Sequence, residues 1–188
     1  MFPRPKLMAH KQCGAGLIEV AVALLVLSIG ALALGSLQIS ARRMGYEAIQ
    51  RGEAAALAVD LLERVRANRA ALPAYGNPGL GAGSGAPLSM PGARCGGGRC
   101  SPAQRTEWDL WQWQQALDGA TTSGGAGGLV RPTGCVTVIG RRVTVEIAWQ
   151  GYRALPAPEP APACGAGGYG ANDAERQWLR MTSWVGEQ

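Results

Sequence analysis

The chain of 188 residues is long enough for one modest domain with an appendage, but too short for two independent hydrophobic cores. Its 28 glycines and 12 prolines make up about a fifth of the sequence, which predicts long loops. The formal charge of +5 depends largely on Arg4, Lys6 and Lys11, and the remainder is nearly balanced, which excludes the basic block of a nucleic-acid-binding surface.

The first predicted element is an apolar helix from Leu17 to Ile39. As a helix it would extend roughly 35 Å, enough to cross the hydrocarbon core of a bilayer. Two alternatives are a buried helix of a soluble domain and an ordinary secretory signal cleaved near "ALA" at 31–33. Apolar character on every side of the helix disfavours the first, and an acid inside the apolar region disfavours the second.

That acid, Glu19, is the sole carboxylate of the apolar segment, and a charge in a membrane span is costly and usually functional. The surrounding residues "CGAGLIEV" resemble the prepilin signature of type IV pilins and type II secretion pseudopilins. The resemblance implies a basic leader over 1–14, cleavage by a prepilin peptidase between Gly14 and Ala15, and methylation of the new Ala15 amine. Ala15 departs from the Phe that is usual at this position.

The same resemblance implies a role for Glu19 as a counter-charge for the methylated amino terminus of a neighbouring subunit. Two charges that each resist an apolar environment stabilise one another when adjacent, which favours docking in one register. The alternative is a carboxylate that only reaches the lipid headgroups.

Helical periodicity continues past the apolar segment. Apolar residues recur every three or four positions at Ala54, Leu57, Ala58, Leu61, Val65 and Leu72. Two acid-first pairs at i,i+4 spacing, Glu47 with Arg51 and Asp60 with Arg64, support the helix. The pattern predicts one helix over 15–72, with 17–39 in the membrane, unbroken until Pro73.

The stretches "SLQ" and "ALAVDLLERVRANRAAL", together with Tyr46, resemble the PilV-type minor pilins of type IV pili. The resemblance implies a subunit held in the inner membrane by a single span, with a periplasmic domain over 73–188, until it enters the pilus at or near its tip. Its partners would be the prepilin peptidase and methyltransferase, other minor pilins and the major pilin. Its roles would be pilus initiation, adhesion and twitching motility. Two alternatives remain, a type II secretion minor pseudopilin and a membrane-anchored periplasmic binding module that never joins a filament.

Residues 73–105 predict a coil rich in glycine and proline, after which Thr106 and Asp109 form a capping-box pattern that opens a second helix. One face of this helix carries the predicted core residues Leu110, Trp113 and Leu117. Trp108 and Trp111 lie on roughly the opposite face, where they either pack under the glycine loops or form a contact surface for another subunit.

The carboxy-terminal third alternates with the period of β-strands. In "VTVEIAW" the alternation places Val143, Val145, Ile147 and Trp149 on one face and Thr144 and Glu146 on the other. Gly140 and Arg141 suit a tight hairpin turn with the preceding "CVTVI", and "WLRMTSWV" predicts a third strand. The expected architecture is an α+β, pilin-like fold in which the long helix packs against a small antiparallel sheet with Gly/Pro-rich loops.

Of five cysteines, Cys13 lies in the predicted leader, which leaves four in an exported domain. Four cysteines allow three connectivities. We favour Cys95 with Cys100 and Cys135 with Cys164, both formed in an oxidising compartment. The alternative is that these thiols bind zinc, but the only histidine, His10, lies in the predicted leader.

The stretch "GAGGYG" at 165–170 has the letters of a dinucleotide-binding motif, but it follows a proline-rich loop rather than a strand. No serine, histidine and acid can be combined into a catalytic group, because the predicted mature chain has no histidine. The sequence therefore predicts a structural protein that is not an enzyme and binds no cofactor or metal.

Overall fold

A computed structural model describes residues 16–85, 87–97, 99–119, 128–156 and 160–186. The helices are α1, Leu17–Ala67, and α2, Pro102–Leu117, with 3₁₀ helices at Arg69–Tyr75 and Ala171–Asp173. The strands are β1, Asn77–Leu80; β2, Thr133–Ile139; β3, Arg142–Gln150; and β4, Arg176–Trp184. The chain divides into two compact units, with the boundary between Arg43 and Met44.

The first unit is the apolar part of α1. It is the one helix within the described ranges that is long and apolar enough to cross a membrane, and its most apolar window contains no buried residue. The hydroxyls of Ser28 and Ser36 donate to the carbonyls of Leu24 and Ala33, at 2.7 and 2.8 Å. These polar side chains are thus satisfied within the helix, as a lipid environment requires.

The part of α1 in the second unit buries the apolar residues that recur every three or four positions. Ala54, Ala58, Leu61 and Val65 are fully buried, which confirms the interpretation of the periodicity. The α-helix ends at Ala67, however, rather than continuing unbroken to Leu72. Asn68 leaves the helical conformation (φ −121°, ψ 44°), and the chain continues as the 3₁₀ helix that contains Pro73.

The sheet is antiparallel throughout, in the order β1-β2-β3-β4. Gly140 and Arg141 form the predicted two-residue turn between β2 and β3, and Gly140 has the left-handed φ (+58°) that such a turn needs. The predicted α+β, pilin-like fold is confirmed, with four strands instead of three. The additional strand, β1, contains Pro78 and Gly79 and pairs with β2 in an irregular register, so its sequence carried no strand signal.

The core lies between one face of the sheet and the two helices. The sheet contributes the predicted inner face, Val143, Val145, Ile147 and Trp149, and α2 contributes Leu110, Trp113 and Leu117; all are buried. The indole Nε1 of Trp113 donates to the carbonyl of Leu57 at 2.9 Å. Its ring lies directly on the backbone of Gly134, where a Cβ would overlap the ring.

Helix α2 begins earlier than predicted. The side chain of Ser101 accepts from the Gln104 amide at 3.2 Å, and the side chain of Gln104 accepts from the Ser101 amide at 2.9 Å. The predicted capping box of Thr106 and Asp109 was wrong, because Ser101, Pro102 and Gln104 complete an equivalent box one turn earlier, with proline at the start of the helix. Thr106 instead donates its hydroxyl to the Pro102 carbonyl at 3.1 Å.

Candidate functional site

Glu19 lies in the first turn of α1, and its side chain is exposed. The carbonyl of Gly16 accepts from the amides of Glu19 and Val20, at 2.9 and 3.3 Å, so the helix is formed from this point onward. A carboxylate here is favoured by the positive end of the helix dipole. Gly14 and Ala15, the predicted processing residues, lie outside the described residues.

A second cluster of polar contacts joins α1 to the loop after β3. The guanidinium of Arg153 donates twice to the Glu47 carboxylate, at 2.9 and 2.7 Å, and the rings of Tyr46 and Tyr152 lie 6.2 Å apart. The hydrogen bond from Arg153 lowers the pKa of Glu47, although burial opposes it. Glu47 is therefore ionised at neutral pH and fixes the loop to the helix.

The predicted pair of Glu47 with Arg51 forms no direct salt bridge, although the charge of Arg51 still contributes to the lowered pKa of Glu47. Arg51 instead donates to the side-chain oxygen of Gln177 on β4, at 3.1 Å. The other predicted pair forms, since Arg64 lies 2.8 Å from the Asp60 carboxylate. Arg153 binds both carboxylate oxygens of Glu47, whereas the guanidinium of Arg51 is directed to Gln177.

A buried polar network closes the end of α1. The hydroxyl of Tyr75 donates to Asp109 at 2.6 Å, and the amide nitrogen of Asn68 lies 3.1 Å from the Tyr75 hydroxyl and 2.8 Å from the Pro102 carbonyl. Burial, followed by the bond to Asp109, raises the pKa of Tyr75. Tyr75 thus remains a protonated donor, and the network holds the Asn68 side chain directly after the end of α1.

Four cysteines of the described residues form two disulfides. Cys95 is joined to Cys100, with Cα atoms 5.8 Å apart, and Cys135 on β2 is joined to Cys164, with Cα atoms 5.9 Å apart. These are the two pairs favoured above. The second bond connects the sheet to the long segment between β3 and β4, and so restricts a much longer loop than the first.

We expect Cys135→Ser to destabilise the domain more than Cys95→Ser. The two bonds close loops with sequence separations of 29 and 5 residues. In the chain-entropy model the longer bond contributes about 3.6 kcal/mol and the shorter about 2.2 kcal/mol. Urea denaturation of the oxidised proteins measures the difference, with a thiol assay as control for complete oxidation. Equal losses of stability, or four reactive thiols with stoichiometric zinc, would contradict this prediction.

The glycine loop at 165–170 is occupied by a carboxylate of its own chain. Burial alone would raise the pKa of Asp173, but hydrogen bonds from the amides of Gly167 and Tyr169, at 2.7 and 3.2 Å, together with Arg176 lower it. Arg176 is itself buried and donates to the carbonyls of Pro162 and Cys164. The loop amides thus bind Asp173, where a nucleotide-binding loop would bind phosphate.

Sequence reasoning missed Asp173, Arg176 and the Glu47–Arg153 pair, because each depends on contacts between separate elements. Trp108 and Trp111, the tryptophans on the outer face of α2, are half-buried and pack against one another, with ring centroids 5.2 Å apart. Within the described ranges, no three His, Cys, Asp or Glu residues lie close enough together to hold a metal ion.

Residues 36–111 match a protein family described as Tt1218-like, type IV pilin Tt1218. The match supports a type IV pilin. It runs from the end of the apolar segment through α1 and β1 into α2, and begins after the prepilin-like signature around Glu19. The prepilin-like signature and the family match therefore lie on different residues and are separate observations. Neither a curated protein nor a solved structure matches it significantly.

Proposed function

We propose that this chain is a minor pilin of the PilV type. It is made with a leader over 1–14, processed by a prepilin peptidase and methyltransferase, and held in the inner membrane by 17–39. Its domain over 73–188 faces the periplasm until the subunit enters the pilus at or near the tip, in contact with other minor pilins and the major pilin. There it helps to initiate assembly and supports adhesion and twitching motility.

The observation that carries the proposal is the match of residues 36–111 to a type IV pilin family. The exposed apolar half of α1 supports it, because a helix with no buried residue in its most apolar window needs lipid or other helices around it. The membrane supplies lipid around the helix before assembly, and the filament interior supplies other helices afterwards.

Glu19 supplies the specificity that apolar packing lacks. An apolar helix can slide along another with little change in contact energy, whereas a carboxylate in an apolar environment requires one cation at one position. The methylated amine of a neighbouring subunit's Ala15 is such a cation. The pair would set the axial register of the incoming subunit before its domain docks.

Processing at Gly14 is the first test of the proposal. Mass spectrometry of the purified mature chain should show an amino terminus at Ala15 that carries a methyl group. Gly14→Trp should leave the uncut precursor in the membrane, because a prepilin peptidase requires a small residue before the scissile bond. Gly16→Ala, two residues beyond that bond, is the matched control and should be processed. An amino terminus near Leu34 would indicate ordinary signal cleavage and contradict the prediction.

The same preparation separates a pilin from a secretion pseudopilin. A pilus subunit should be found in the sheared surface fraction, and its deletion should reduce twitching motility without changing protein export. The opposite pattern would assign the chain to a type II secretion system. Neighbouring genes for minor pilins, or for a secretion channel, give an independent indication.

A further inference from the structure

Of the two outer strands of the described sheet, β4 is the longer. It spans nine residues and pairs with β3 on one side, and no described strand pairs with it on the other. The opposite edge, β1, is blunted by its length of four residues, by Pro78 and by an irregular register. Proteins usually protect long edges in these ways, because an open edge binds other extended chains.

The hydrogen bonds that flank β4 show which of its groups are open. Gly151 donates to the Glu175 carbonyl at 2.8 Å, and Val185 donates to the Arg141 carbonyl at 3.0 Å. In this antiparallel ladder the odd-numbered residues of β4 therefore bond to β3. The amides and carbonyls of Trp178, Arg180 and Thr182 point away from the sheet, and within the described ranges none of them has another partner.

A cavity of about 630 Å³ lies along the first half of this edge. Arg51 of α1, Trp178 and Arg180 contribute to its lining, with Leu155 and Pro156 of the preceding loop. Among the described residues that line it, three are arginines and none is an acid. Arg180 is paired with Glu146. Among the described residues Arg51 forms no salt bridge: it donates a hydrogen bond to the neutral Gln177, and its charge helps to lower the pKa of Glu47 without direct contact.

We propose that the open edge of β4 binds an extended acidic segment of a partner protein as a fifth strand. Backbone hydrogen bonds to Trp178, Arg180 and Thr182 would supply affinity, as in other cases of strand addition. Alternate side chains of the added strand would face α1, where a carboxylate meets Arg51. The remaining side chains would lie on the outer face of the sheet beside Trp178 and Arg180.

Charge selects this occupant over a second copy of the chain. The sequence of β4, "RQWLRMTSW", contains two arginines and no acid, so pairing of two β4 edges would place basic residues beside basic residues. An acidic segment instead gives Arg51 a carboxylate within hydrogen-bonding distance, because the oxygens of its acidic neighbour Glu47 are bonded to Arg153.

The test uses the full chain in detergent micelles and three fluorescent peptides of about ten residues. The first alternates Val with Glu and Thr, the second has Lys in place of Glu, and the third has a central Pro in the acidic sequence. Fluorescence anisotropy should show binding of the acidic peptide and at least about tenfold weaker binding of the other two. Arg51→Gln should weaken binding of the acidic peptide only.

Thr182 offers a matched pair of variants. Its hydroxyl lies 3.1 Å from that of Thr144, and both Thr182→Pro and Thr182→Val remove this contact. Only proline removes the outward amide, at an edge position that tolerates proline. We expect Thr182→Pro to reduce acidic-peptide affinity by about tenfold or more and Thr182→Val to leave it within about twofold.

Hydrogen exchange provides the second measurement. The amides of Trp178, Arg180 and Thr182 should become protected when the acidic peptide binds, whereas attraction to surface charge alone would leave them unchanged. No binding at about 1 mM peptide, or equal binding by the proline and valine variants, would overturn the proposal. If the chain self-associates and Thr182→Pro abolishes this self-association, the proposal is also overturned, and the occupant of the edge is a second copy of the chain. The measurement needs no pilus, so its failure would leave the pilin proposal intact.

Discussion

Glu19→Ala should remove the subunit from pili while its amount in the inner membrane stays normal. Removing a charge from an apolar span lowers the cost of insertion, so the helix should enter the membrane at least as well as the parent. In the proposed pair with the neighbouring subunit's amino terminus, loss of one buried partner would cost roughly 3–5 kcal/mol. Incorporation should therefore fall by more than about tenfold.

The measurement is the ratio of this subunit in sheared pili to that in the inner membrane. Glu19→Asp keeps the charge but shortens its reach by one methylene, and should give an intermediate ratio. Ser28→Ala is a control in the same helix, because the Ser28 hydroxyl bonds only to the Leu24 carbonyl of its own turn. Equal incorporation of the Ala variant and the parent, at matched membrane levels, would show that Glu19 only reaches the headgroups.

Trp113→Ala should cause the largest loss of stability in the globular unit. The side chain is fully buried between α1 and β2, and its indole donates to the Leu57 carbonyl. Truncation of such a core aromatic costs about 3–5 kcal/mol, which includes the loss of the indole's hydrogen bond to the Leu57 carbonyl. Urea denaturation of the full chain in detergent measures the loss.

Trp111→Ala is the matched control on the same helix. Trp111 is half-exposed and packs mainly against Trp108, so its truncation should cost only about 1–2 kcal/mol. A double-mutant cycle adds a sharper requirement. Gly134→Ala should cost about 1–3 kcal/mol in the parent, where the new Cβ meets the Trp113 ring. In the Trp113→Ala background that cost should largely disappear; additive losses would show that the ring does not require glycine at this position.

Much of the fold follows from local pattern. The exposed apolar helix, the buried stripe of Ala54, Ala58, Leu61 and Val65, and the alternation of β3 repeat with the period of their own element. Each can be predicted without knowledge of the rest of the chain. The hairpin at Gly140 is equally local, because a two-residue turn needs a left-handed conformation that glycine adopts without strain.

The errors of prediction occurred where distant residues compete. Helical periodicity continued beyond Ala67, but the side-chain amide of Asn68 donates hydrogen bonds to the Tyr75 hydroxyl and to the carbonyl of Pro102 on α2. Glu47 had a suitable cation one turn away, yet Arg153 binds it with better geometry. In both cases a tertiary hydrogen bond outweighed a local preference of a few tenths of a kcal/mol.

The sequence by itself determined the long apolar helix, the position of Glu19 in it, and the inner face of the sheet. Hydrophobic periodicity and the cost of a charge among apolar residues depend only on the order of side chains. The tertiary structure alone decided where α1 ends, that β1 joins the sheet, and that β4 lies at an outer edge beside Arg51, with no described strand on its far side. These features depend on which backbone groups are already bonded by residues far away in the chain, and a group's remaining capacity to bond is known only once its neighbours are in place.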